Sequence, residues 1–136
     1  MKLYIVVRAD LKPGARAAQS CHATSSFVAA HPKQSAQWRT SSNNLVCLEI
    51  ANEPLLLAMA RRARERGIPH TLFREPDLGD EATALALMSP QAHRLTSNLP
   101  LALRDAVDSA REASGTLPSR EPPALPAPSR ESPAAA

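Results

Sequence analysis

GARAAQSCHA, residues 14–23, sets Arg16, Gln19 and His22 at intervals of three along a stretch otherwise made of Ala, Gly, Ser and one Cys. On a helix that spacing puts Gln19 and His22 on neighbouring turns of one face, with Arg16 near the helix start. A cation, an amide and an imidazole so placed can meet one large ligand together. The imidazole takes a proton, since histidine titrates near neutral pH. The cation grips a phosphate or a developing oxyanion, and the free N–H groups of the helix start add to that grip. The small residues let a bulky ligand approach the backbone.

A second cluster, FREPDLGDEATALAL at residues 73–87, holds Arg74, Glu75, Asp77, Asp80, Glu81 and Thr83 around one turn between two strands. Strand ends and the loops joining them are frequent positions for chemistry. A carboxylate of Glu75 or Asp77 can orient His22, and the Thr83 hydroxyl can hold a water or a substrate carbonyl. Each feature also has an ordinary structural reading. His22 can be a helix histidine bonded to a carbonyl, and Gln19 a surface amide. Glu75 and Asp77 can cap the turn or pair with Arg74, and Thr83 suits a strand by propensity alone. Asp80 and Glu81 read as solvated turn residues.

The elements around these clusters follow from pattern. KLYIVVR, residues 2–8, is apolar and β-branched, as a buried central strand should be. Pro13–Gly14 leads into a helix over 15–30, ended by His31–Pro32. Residues 33–43 are a polar helix or loop around Trp38, which reads as a packing anchor. NLVCLEI, 44–50, is a second strand. Asn52 is a candidate N-cap with Pro54 in the first turn, and Gly67 stops that helix after Arg66. PHTLFRE (69–75) and ATALALM (82–88) are the last strands, joined closely enough to pair antiparallel. The order implies one α/β domain, three layers deep, with a four-stranded mixed sheet between helices.

Residues 1–104 are expected to be that domain and 105–136 a tail, partly helical and then a disordered Pro/Ala/Ser-rich segment. Hydrophobic residues are 43% of the 136 but aromatics only 3%, so Leu, Val, Ile and Ala must build the core. The formal net charge is +3. The first 104 residues hold 13 of the 16 Lys+Arg and 8 of the 13 Asp+Glu, so the folded part is the basic part. That permits a polyanionic partner such as RNA. Arg61, Arg64, Arg62 and Arg66 form a basic run, either a solvated helix face or contacts to an RNA backbone. The two cysteines, Cys21 and Cys47, are expected to be free, buried thiols rather than a disulfide or nucleophiles. No spacing of Cys or His suggests a metal, and no cofactor is implied. No apolar run approaches the ~20 residues that cross a bilayer, and the N-terminus lacks a signal peptide's pattern. A cytoplasmic protein is expected.

LYIVVRADLKPG followed by ARAAQSCHA resembles the start of the class II peptidyl-tRNA hydrolases, the archaeal and eukaryotic type. There a first strand and a D-L-K-x-G turn lead into a helix carrying A-A-Q-x-x-H. HTLFREPDLGDEATALAL resembles a shorter bacterial and phage branch of the same superfamily. The resemblance covers roughly residues 2–100. It implies a four-stranded mixed sheet and hydrolysis of the ester joining a peptide to the terminal ribose of tRNA. It implies catalytic roles for His22, for Glu75 or Asp77, and for Thr83, with Gln19 as a substrate contact; Arg16 and Arg74, the cations beside the two clusters, are expected to be further substrate contacts. It also implies tRNA as partner and a homodimer. One departure stands out: the lysine-rich loop of the family is shorter here and reads Gly14-Ala15-Arg16. Arginine keeps the positive charge but transfers no proton near neutral pH. An alternative function follows, a non-catalytic RNA- or protein-binding module on the same fold.

Overall fold

β1 (Lys2–Arg8) is buried from Leu3 onward, and its side chains go alternately to two cores. Leu3, Ile5 and Val7 join one cluster, Tyr4 and Val6 the other. A strand apolar on both faces belongs inside a sheet with both faces covered. In the computed structural model, which describes residues 1–104, β1 lies inside a four-stranded sheet of order β2-β1-β4-β3. β2 (Asn44–Ile50) runs parallel to it, β4 (Glu81–Leu87) antiparallel to it, and β3 (His70–Glu75) antiparallel to β4. The sheet is therefore mixed, and β3 and β4 are the antiparallel pair expected from their short connection, which contains a single 3-10 turn, Pro76–Leu78.

One face is covered by α1 (Pro13–Ala30) and α2 (Pro32–Ser41), through Ala23, Phe27 and Trp38. Trp38 is the anchor expected, its indole N–H donating to the Asn44 carbonyl at 2.7 Å. The other face is covered by α3 (Glu53–Glu65) and the short α4 (Ala92–Thr96), through Leu56, Met59, Ala60, Ala63 and Ala92. The three layers and the single α/β domain are as the sequence implies. Asn52 caps α3 by accepting from the Leu55 N–H at 3.1 Å. Gly67 ends it at φ 63, in the left-handed region that glycine enters without steric cost.

Several boundaries differ from the sequence reading. α1 begins at Pro13, because a proline already has helical φ and its missing N–H costs nothing in a first turn. Residues 32–41 are fully helical. Cys21 is exposed on the outer side of α1, not buried, whereas Cys47 is half-buried; both are free thiols. The tail expected over 105–136 lies outside the described residues. No described helix is long and apolar enough to cross a membrane.

One irregularity shapes the site. Phe73 faces Ala84 across the β3–β4 ladder, but Arg74 faces Ala82, so Thr83 is an extra residue in β4. Such a bulge reverses the alternation of side chains beyond it. Ala84 packs into the α1 face and Ala82 into the α3 face. Without the bulge both would share one face.

Candidate active site

The bulge is what brings Thr83 to α1. Counting by twos from Leu85, which faces α3, residue 83 would face α3 as well. Instead its hydroxyl donates to Gln19 Oε1 at 2.5 Å. Gln19 Nε2 in turn donates to Glu75 Oε2 at 2.7 Å. The three residues form one hydrogen-bonded line from β4 through α1 to β3. The carboxylate can only accept and the hydroxyl donates to the other end, so the amide of Gln19 is fixed in one orientation. Thr83 is fully buried and Gln19 nearly so, at 6% exposure. An amide so enclosed without partners would cost more than most side chains contribute; here both of its ends are satisfied.

Glu75 sits where this line reaches solvent. Its other oxygen accepts from the Asp77 backbone N–H at 3.3 Å. The Gln19 amide first, then the Asp77 N–H, and more weakly the charge of His22 hold its carboxyl below the usual range, against a small opposing effect of burial. It is therefore ionised at neutral pH. His22, one turn after Gln19, is exposed. Its ring lies flat on Phe73, with centroids 4.7 Å apart and planes 8° from parallel. The imidazole is thus oriented by an aromatic face, with the carboxylate of Glu75 nearby. Among the described residues it makes no hydrogen bond.

His22, Gln19, Glu75 and Thr83, expected to act together, are brought together. The other three candidates are placed differently. Arg16 turns toward β2, where its Nη1 donates to Glu49 Oε2 at 2.8 Å, both side chains being largely covered. Its Nε is buried without a hydrogen-bond partner. Asp77 is exposed and contributes its backbone N–H to Glu75. Arg74 follows Phe73 in β3 and so lies on the opposite face of the sheet from Glu75. There it donates to the Asp80 carbonyl at 3.2 Å. It pairs with no carboxylate among the described residues.

A second charged network was not anticipated. Arg8 is buried at the end of β1. Its guanidinium meets both oxygens of Asp10 at 2.9 Å, Glu81 at 2.7 Å and Glu53 at 3.5 Å. It also donates to the Ala82 carbonyl at 3.2 Å, the residue just before the bulge. Glu81 is exposed but paired, and so is more than a solvated turn residue. The signal was present in β1: by alternation Arg8 follows Tyr4 and Val6 onto a buried face, and a buried guanidinium must find carboxylates.

The chain is thus an α/β domain with a mixed four-stranded sheet, carrying a Thr–Gln–Glu line, buried at Thr83 and Gln19, beside an exposed histidine. Among solved structures it is similar to a protein of unknown function from Agrobacterium tumefaciens, with a TM-score of 0.53 and 15% sequence identity over 74% of this chain and 96% of that one. That likeness is one of fold. A search of curated proteins found no match. The family model for Peptidyl-tRNA hydrolase PTH2 matches residues 1–101. The chain belongs to that family.

Proposed function

We propose that the protein hydrolyses the ester between a peptide, or an N-blocked amino acid, and the terminal ribose of tRNA. The observation that carries this reading is the Thr83–Gln19–Glu75 line of hydrogen bonds ending beside His22, in a chain of this family. A water held near His22 attacks the ester carbonyl. His22 takes the proton of that water and returns it to the ribose oxygen as the ester breaks, leaving peptide acid and free tRNA. Glu75, ionised, stabilises the imidazolium formed in between. Gln19 and Thr83 are buried, so they act by fixing Glu75 and the floor of the site. The Asp77 N–H holds the other oxygen of Glu75. Arg16, tied to Glu49, braces the first turn of α1. The reading takes tRNA as partner, needs no cofactor, and places the protein with translation in the cytoplasm; residues 1–104 are its catalytic domain.

The test is cleavage of N-acetyl-aminoacyl-tRNA by the wild-type protein and by His22→Ala. Cleavage by the first, reduced at least ~100-fold in the second, fits a general base in place. Cleavage by both removes His22 from the centre of the reaction. A second reading, a binding module without chemistry, is favoured by the pairing of Arg16 with Glu49, which commits the cation that stands where the family has lysine. Intact ester with tRNA still bound would select it.

A further inference from the structure

On the other face of the sheet, a groove of about 360 Å³ runs between α3 and β3. Arg61 and Arg64 line it from the helix, Arg74 and His70 from the strand, with Leu57 and Leu72 among the apolar residues beneath. No carboxylate lines it. None of the three groove arginines is paired with an acid among the described residues. Arg61 has Glu65 four residues on, a spacing that allows a pair, and none forms.

Cations near the end of a helix are favoured by its dipole. That accounts for basic residues anywhere around the end of α3. It does not account for two of them facing a third cation supplied by a different element. Like charges gathered in one groove repel unless an anion lies between them. We propose that this groove takes the phosphodiester backbone of RNA, which on the hydrolase reading above is the backbone of the tRNA substrate. Arg61 and Arg64 follow one another along α3, about 4.5 Å apart by helical rise, and form a row rather than a ring around one point. The wall is the side of a helix near its C-terminus, with no cradle of backbone N–H groups such as holds a single phosphate. A row of guanidinium groups over an apolar floor suits successive phosphates of one strand, as contacts that position without reading sequence.

The groove also connects to the site. Arg74 and Glu75 are neighbours in β3, one on each face, and β3 is an edge strand. A chain of nucleotides held along the groove has only to cross that edge to bring its end to His22 and Glu75.

Binding of uncharged tRNA to the full chain tests this without requiring cleavage. The double variant Arg61→Gln/Arg64→Gln changes exposed positions to another good helix former. Its tRNA affinity should fall at least tenfold, and the slope of log K against log salt should fall by roughly two. Adding Arg74→Gln should lower the slope by about one more. The control Lys33→Gln/Arg39→Gln removes the same charge from exposed positions of α2 and should change affinity less than threefold. Equal losses in both double variants would make the effect one of net charge and overturn the proposal. So would an unchanged affinity and slope in the groove variant, or wild-type protein that binds no tRNA. Wild-type protein that binds through the groove but leaves the ester intact would overturn the hydrolase reading and leave the groove standing.

Discussion

Gln19 has the least freedom of any polar side chain in the site, because both ends of its amide are committed. Removing the Thr83 hydroxyl tests this directly. Thr83→Val keeps the shape and the β-branching but leaves Gln19 Oε1 buried and unpaired. The expected loss is about 1–3 kcal/mol in urea denaturation, with ester cleavage reduced as Glu75 loses its fixed donor. The acid limb of stability belongs to this scale as well. Glu75 is held low chiefly by Gln19, and Asp10 is held low chiefly by the guanidinium of Arg8. A carboxylate depressed in the native state binds fewer protons than the unfolded chain does, so its contribution is complete above the ordinary carboxylate range, about 4. It is lost as pH falls through the lowered native value. Urea midpoints should therefore be flat with respect to these groups from pH 7 to about 5 and fall below about 4. Asp10→Asn and Glu75→Gln should each flatten that fall, and a wild-type profile in both variants would contradict these assignments.

At the scale of elements, the strands and helices were legible because each has a strong local signal. β1 is a run of β-branched residues, α3 has Asn52 before it and Gly67 after it, and the two chemical clusters were legible as residue types at helical and turn spacing. What was not legible is the bulge. Residues 82–88 are Ala, Thr, Leu and Met, apolar or small at nearly every position, so nothing in their order marks where the two faces exchange. That face decides whether Thr83 meets Gln19. The exposure of Cys21 was hidden for a related reason: α1 is rich in small residues and has little hydrophobic contrast around its axis. The bulge is braced from the far side by Arg8, which donates to the Ala82 carbonyl and pairs with Glu81. Arg8→Met keeps much of the side-chain volume but leaves three carboxylates and a carbonyl without their shared donor. Because those carboxylates are partly solvated, the expected cost is about 2–3 kcal/mol. Ester cleavage should fall further than stability requires, since Thr83 loses its support. Denaturation and kinetics on the same variant separate the two effects.

Across the whole molecule, the two edges of the sheet are treated differently. Beside β2, the Glu49 N–H donates to the Pro100 carbonyl and the Ala102 N–H donates to the Cys47 carbonyl, each at 3.0 Å, and Leu101 forms a bridge to Leu48. A covered edge cannot template pairing with another chain. Among the described residues β3 has no such cover, and Arg74 stands on it, a charged residue of the kind that discourages edge-to-edge association. The asymmetry leaves open the one edge that joins the arginine groove to the histidine site. It also gives a test of the domain boundary expected from the sequence. A chain cut after Arg104 keeps the cover of β2 and should unfold in one cooperative transition, with cleavage near that of the full chain. A chain cut after Asn98 leaves backbone groups of Cys47 and Glu49 to water and exposes the apolar hollow that Leu99 and Pro100 form with Ile50 and Leu55. It should lose stability by about 2–4 kcal/mol, from two backbone hydrogen bonds and the burial of Leu99. Comparison of the two cuts by thermal and urea unfolding decides the point: equal stability would show that the segment over β2 is no part of the folded unit.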